Sequence, residues 1–241
     1  MKYIRQEWKT RNIIPLIDNE VDVLIIENTP CSQIEMFNFL TPYYEVAPQD
    51  PLDQMWVSVV SDKRSEQKDN LKGNTELEWH IDKGYAKRPF DMVLLYSVLV
   101  AQDSGDTLFV DNRITDLIPD YFKKFQDEIV KFDVNRFLHS DQYGYHFRNE
   151  IERRWFRRKY GTVNHKLFQQ DKRGDYIFYC EAYNIIPDAD VVKEFLYHPN
   201  RIYRHKWKTG ELLLYNNKAT NHKREKGGVE RHLWKLALYE K

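Results

Sequence analysis

Glu76-Leu77-Glu78-Trp79-His80-Ile81-Asp82 is the stretch on which the fold of this 241-residue chain turns. Glu76, Glu78, His80 and Asp82 share one parity, and Leu77, Trp79 and Ile81 share the other. Successive side chains of a strand point to opposite faces, so the alternation reads as a half-buried strand with all four polar residues on one side. A histidine and an aspartate two apart on one face bring an imidazole and a carboxylate together. A second imidazole follows far along the chain, at His222, after the extended run 210–217. Two imidazoles and one carboxylate on one face of an octahedral ion leave three positions open, a set that suits non-heme Fe(II). Open positions admit a co-substrate and dioxygen, so the pattern points to an oxygen-using enzyme rather than a binding module.

Outward from this stretch, residues 22–27 (DVLIIE), 56–60, 107–110, 204–207, 211–217 and 231–238 read as strands. Residues 92–100 (MVLLYSVLV) read as a strand buried on both faces. Ser104-Gly105-Asp106 makes a turn. Residues 163–169 and 176–180 read as a hairpin about Lys172-Arg173-Gly174. Residues 32–40 have helical character, with Cys31 or Ser32 as the cap. Residues 118–132 place Tyr121, Phe125, Ile129 and Phe132 on one helical stripe, and 190–197 form a short helix ended by Pro199. Many strands without β-α-β alternation predict a mainly β fold, an antiparallel barrel or sandwich with helices on one side. The polar segment 61–75 reads as a long loop and a candidate lid. With no repeat or linker, residues 1–241 read as a single domain.

Composition sets the outer limits. A content of 41% hydrophobic residues, 15% aromatic, supports a sizeable core. Lys+Arg and Asp+Glu balance at 37 each, so no overall field draws nucleic acid or an anionic membrane. The cluster Arg153, Arg154, Arg157 and Arg158 reads as a solvated helical face balanced by Glu150 and Glu152. Two cysteines, Cys31 and Cys180, form no disulfide framework and suggest a reducing compartment. The first residues lack a signal-peptide pattern, and no apolar run approaches the roughly 20 residues that span a bilayer. These features predict a soluble, cytoplasmic protein with a small-molecule substrate and neither nucleic-acid nor membrane partners.

His-x-Asp alone is a cheap pattern; His139-Ser140-Asp141 repeats it without the strand context and reads as a surface pair. Four segments in order carry more. Trp79-His80-Ile81-Asp82, Ser104-Gly105-Asp106-Thr107-Leu108-Phe109, the run from Gly210-Glu211 through Asn217 to His222, and the closing strand 231–238 together resemble the TauD/TfdA family of Fe(II)- and 2-oxoglutarate-dependent dioxygenases. In the family's terms they match W-H-x-D, G-G-D-T-L-F, G-D-x-x-x-W-D-N-x-x-x-x-H and R-x-x-x-R. Departures are Ser104 for the first glycine, Tyr215 for tryptophan, Asn216 for aspartate and Lys235 for the second arginine.

The resemblance implies a double-stranded β-helix, that is, a jelly-roll or cupin-like core. It implies His80, Asp82 and His222 as Fe(II) ligands, with 2-oxoglutarate and O2 as co-substrates. It implies Thr107 and Arg231 as the holders of the distal carboxylate of 2-oxoglutarate. A planar guanidinium suits that role in a desolvated site. The outcome implied is hydroxylation of an unactivated C–H bond, with desaturation or oxidative decarboxylation as alternatives. Asp82 argues against halogenation, which needs that ligand position vacant. A jelly roll that binds metal or ligand without turnover is the reading from a different class. Glu78 and Glu76 share parity with His80, and Lys235 shares parity with Arg231. If all three face inward they suit a zwitterion, so an amino acid or a derivative is the substrate they favour within the wider expectation of a small amino-acid-like or natural-product substrate.

Overall fold

Long apolar runs become central strands, because a strand covered on both sides must be apolar at every position. The structure, a computed structural model, describes residues 1–8, 21–48, 58–61, 76–114, 120–140, 147, 149–227 and 231–241. Its larger sheet has seven strands. The order is β1 (Tyr3–Glu7), β2 (Val23–Glu27), β14 (Leu212–Asn216), β6 (Met92–Val100), β16 (Arg231–Glu240) and β3 (Tyr44–Ala47), with β4 (Ser58–Ser61) also paired to β16. Among the described residues of this sheet only β1 and β2 pair in parallel; the other pairs are antiparallel. A four-stranded antiparallel sheet faces it: β13 (Ile202–His205), β7 (Thr107–Asp111), β15 (Thr220–Arg224) and β5 (Leu77–His80). A smaller sheet of β12 (Asn184–Ile185), β8 (Ile129–Phe132) and β9 (Asn164–Lys166), and a hairpin of β10 (Phe168–Asp171) and β11 (Gly174–Ile177), lie beside these two. The fold is mainly β with flanking helices, built on a jelly-roll core.

Alternation along the strands sorts side chains into layers. Val23, Ile25, Val93, Leu95, Leu213, Tyr215, Leu233 and Ala237 point from the larger sheet toward Phe109 of the smaller one. Leu24, Ile26, Leu94, Leu212, Leu214 and Leu236 point the other way, onto Met36 and Leu40 of α1 (Gln33–Leu40). Each fully buried side chain of this kind contributes about 1.5–3 kcal/mol. Ser32, not Cys31, caps α1: its Oγ accepts the Glu35 N–H at 3.3 Å while its own N–H donates to Glu35 Oε2 at 2.8 Å.

Helices cover both outer faces rather than one. The far side of the four-stranded sheet, through Trp79, Leu108 and Val110, packs on Phe122, Phe125 and on Val192 and Leu196 of a second helix (Ala189–Leu196). The helix expected over 118–132 is not one. Residues Asp120–Phe125 form a 3₁₀ helix, and Ile129–Phe132 is strand β8. Tyr121 and Ile129, two members of the supposed stripe, are exposed, whereas Phe122 and Phe125 are buried three apart. In β8, Val130 and Phe132 are buried, so period two wins over period 3.6 there.

The basic segment forms a helix, Glu150–Tyr160, with Glu150 lying 3.7 Å from both Arg154 and Arg157. Both cysteines are free. Among the described residues no helix is long and apolar enough to cross a membrane. The lid candidate 61–75 lies outside the described residues, apart from Ser61 at the end of β4.

Candidate active site

Cross-strand pairing creates the site. His222 of β15 stands directly opposite His80 of β5, and their rings lie 4.1 Å apart. Asp82 follows β5 in a turn that Asn217 clamps. The Asp82 N–H donates to Asn217 Oδ1 at 2.9 Å, and Asn217 Nδ2 donates to the carbonyls of Asp82 and Phe90, both at 2.9 Å. Lys83, next in the turn, takes a positive φ of 54°. The clamp brings Asp82 Oδ1 to 4.0 Å from His80 Nε2 and Oδ2 to 3.6 Å from His222 Nε2. One ligand atom from each of the three residues lies within 4.8 Å of the others.

Protonation suits a metal. His80 Nδ1–H donates to the Glu78 carbonyl at 2.7 Å, which leaves the Nε2 lone pair toward Asp82. Burial holds His222 well below its ordinary value, helped by His80, and burial likewise lowers His80. Burial alone would raise the Asp82 carboxyl, but Lys235, His222 and His80 outweigh it and hold it well below the usual range. Two neutral imidazoles and one carboxylate are the protonation states that ligation requires.

Two further donors converge on the carboxylate. Lys235 Nζ lies 2.6 Å from Asp82 Oδ2. The Tyr215 hydroxyl donates to the same oxygen at 3.1 Å and lies 3.3 Å from His222 Nε2. Burial pushes the Tyr215 phenol well above its ordinary value, so it stays a neutral donor.

Along β7 from the triad stand Thr107 and the buried guanidinium of Arg231. Phe109 pairs with His222, and Thr107 stands two residues earlier on the same face of β7. Two residues of strand span roughly 7 Å, the scale of a five-carbon dicarboxylate. Arg231, first residue of β16, is 2% exposed and has no carboxylate within ion-pair distance among the described residues. It donates from Nη2 to Thr107 Oγ1 at 3.2 Å and from Nη1 to the Gly105 carbonyl at 3.4 Å, while its buried Nε has no partner among the described residues. Burial, with the Arg224 charge nearby, pushes the guanidinium down to about 9. A buried cation left without a counter-charge is costly. An incoming carboxylate would relieve that cost, and the donor set fits one.

The sequence-derived residues thus divide. His80, Asp82 and His222 come together, Thr107 meets Arg231, and Lys235 reaches Asp82. Glu76 and Glu78 do not join them: both are exposed, paired with Lys223 at 2.6 Å and Arg136 at 3.5 Å. The cause is a register irregularity: between the pairs His80–His222 and Leu77–Arg224, two residues of β5, Glu78 and Trp79, stand against the single residue Lys223 of β15. A bulge of this kind breaks the parity that joined Glu78 to His80. His139 is exposed, and its companion Asp141 lies outside the described residues. His205 is fully buried against Glu211 at 3.2 Å, well apart from a ligand role. Asn217, Tyr215 and Trp207 carry contacts that local sequence did not assign to them; only their places in or near the quoted motif signal them.

Residues 19–237 match the model of the family described as taurine catabolism dioxygenase TauD, TfdA family. The chain is similar to the alpha-ketoglutarate-dependent 2,4-dichlorophenoxyacetate dioxygenase of Burkholderia sp. (strain RASC), 26% identical over 156 residues, which are 60% of this chain. That match spans about half, 51%, of the relative's length. Among solved structures, AAD-2 in complex with Mn(II) and N-oxalylglycine superimposes with a TM-score of 0.77 at 17% identity, over 96% of this chain and 88% of its own. A taurine dioxygenase from Burkholderia xenovorans gives 0.65 at 15% identity, over 91% of this chain and 77% of its own. At these identities the superpositions speak for the fold.

Proposed function

The chain belongs to the TauD/TfdA family of dioxygenases, and from that premise we propose that it is an Fe(II)- and 2-oxoglutarate-dependent oxygenase hydroxylating an unactivated C–H bond of a small molecule. The observation that carries this reading is the pairing of a largely buried His80–Asp82–His222 cluster with the buried guanidinium of Arg231, which lies beside Thr107 with no carboxylate in ion-pair reach among the described residues. Either alone has an ordinary structural use; together they offer a metal and a dicarboxylate adjacent places.

In this reading His80, Asp82 and His222 hold the iron, and Arg231 with Thr107 hold the distal carboxylate of the co-substrate. Iron with 2-oxoglutarate and O2 supplies an oxidant able to take hydrogen from an unactivated C–H bond, with succinate and carbon dioxide as by-products. The chain's own part is positional. The Glu78 carbonyl fixes the His80 tautomer, and Asn217 holds the turn that presents Asp82. Tyr215 and Lys235 orient the carboxylate through Oδ2. The buried rings of Phe109 and Tyr215, which both lie against His222, help keep water out.

The amino-acid-like substrate is a narrower matter. Lys235 lies at the site and suits an anionic group of the substrate. The ammonium half of a zwitterion has no carrier in Glu76 or Glu78, which face outward. The substrate proposed is therefore a small molecule with at least one anionic group.

Anaerobic addition of Fe(II) and then 2-oxoglutarate tests the assignment. A visible metal-to-ligand charge-transfer band is expected in the wild type and absent in His222→Ala. No band in the wild type would leave a binding protein of the same fold. A screen for substrate-stimulated succinate formation across anionic small molecules then identifies the substrate.

A further inference from the structure

We propose that Trp207 is a positioning residue for the distal carboxylate of the co-substrate, acting by turning the Thr107 hydroxyl into a fixed donor. This rests on the reading of Arg231 and Thr107 given above and adds a residue to it.

A threonine hydroxyl can accept two hydrogen bonds and donate one. Two donors already converge on Thr107 Oγ1: the Trp207 indole N–H at 2.9 Å and Arg231 Nη2 at 3.2 Å. With both lone pairs engaged, the hydroxyl hydrogen is left to point outward and the oxygen cannot accept from a ligand. A carboxylate only accepts, whereas a neutral carboxamide or hydroxyl also carries donors. The arrangement therefore favours a distal carboxylate, and Trp207 is the part of it that contributes no charge. The indole also lies against the guanidinium, with Arg231 Cζ 5.5 Å from the ring centroid.

Trp207 is held for this task. Its ring stands edge-on to fully buried His205, centroids 4.6 Å apart at 87°. His205 lies 3.2 Å from Glu211, and the Lys208 N–H, on the residue after Trp207, donates to Glu211 Oε2 at 2.8 Å. Arg5 of β1 fixes Glu211 from the other side at 2.7 Å. His205 also stands opposite Thr107 across β13 and β7. Both residues that the indole joins are thereby locked to one sheet.

The test measures 2-oxoglutarate binding to the Mn(II)-loaded full chain by calorimetry. Trp207→Phe keeps an aromatic ring and removes the donor; it is expected to weaken 2-oxoglutarate about tenfold, the scale of one charge-assisted hydrogen bond. Binding of 2-oxobutyrate, a 2-oxo acid without a distal carboxylate, should not change. Adding Trp207→Phe to Thr107→Val should cost nothing further, within about twofold, because the indole acts through that hydroxyl. If Trp207→Phe does not fold, 3-benzothienylalanine at 207 keeps the bicyclic shape without the donor. Equal losses for both 2-oxo acids, or additive losses in the double variant, would mark a merely structural tryptophan and overturn the inference. Failure of the wild type to bind 2-oxoglutarate would instead bring down the co-substrate reading beneath it.

Discussion

Replacing Arg231 by methionine should stabilise the ligand-free protein while abolishing its response to 2-oxoglutarate. The guanidinium falls from 12.5 to about 9, which corresponds to a cost of roughly 5 kcal/mol to the charged form at 1.36 kcal/mol per pH unit. A lowered cation is a penalty present at every pH below the folded value, so it acts in full at pH 7.5. After relaxation the effective cost of a buried ion is still several kcal/mol. Against it stand two hydrogen bonds, to Thr107 Oγ1 and the Gly105 carbonyl, at about 1 kcal/mol each. Methionine fills similar volume without charge, so a net gain of about 2 kcal/mol is expected, a rise in Tm of about 5 °C for a chain this size. Thermal unfolding with Mn(II), with and without 2-oxoglutarate, reads both effects. At 100 times Kd the wild type should gain about 2.7 kcal/mol from the ligand, and Arg231→Met nothing beyond the metal. A lower Tm in the ligand-free variant, or a preserved 2-oxoglutarate shift, would refute the claim that this cation awaits an anion.

Asn217→Ala removes three hydrogen bonds around Asp82 and Phe90, one buried and two partly buried; stability should fall by about 2–3 kcal/mol, and Mn(II) titration should show affinity down at least about tenfold, as the loss of a ligand's supporting contact does. Because His222 and His80 are lowered by burial, the folded chain takes up protons only below the ordinary histidine range. Ligand-free stability should therefore be full above about pH 6.5 and decline below it, as the unfolded chain protonates first; a plateau down to pH 5 in urea titrations would contradict the shifts. Glu78→Gln should leave turnover and 2-oxoglutarate affinity within about twofold, as an exposed substitution does. A large loss of turnover with an amine substrate would restore Glu78 to the site.

Legibility in the sequence followed the range of the interactions concerned. The apolar runs of β2, β6 and β14 and the helix at 33–40 depend on neighbours within a few residues, and they read through directly, although the choice of Ser32 over Cys31 as the cap waited for the structure. The stretch 118–132 did not. Its apolar residues satisfy a helical stripe on paper, but pairing of β8 with β9 and β12 gives Val130 and Phe132 a better burial than a helix would. Long-range pairing overrides local periodicity wherever both patterns fit the same residues. Glu76 and Glu78 failed for a related reason. Strand parity assumes an unbroken ladder, and the extra residue in β5 shows itself only against β15, about 140 residues later in the chain.

Residue chemistry and spacing singled out His80, Asp82 and His222 as a candidate ligand set for a ferrous ion, and the likeness of the closing strand to the family's motif singled out Arg231 as a candidate for a carboxylate, because those capacities belong to the residues themselves. Tertiary structure decided the rest: that His80 and His222 face each other across a strand pair, that Arg231 stands in the interior with no carboxylate in ion-pair reach among the described residues, and that Trp207 lends its N–H to Thr107. Each of these depends on register and burial, which arise only when distant strands meet and water is excluded from between them.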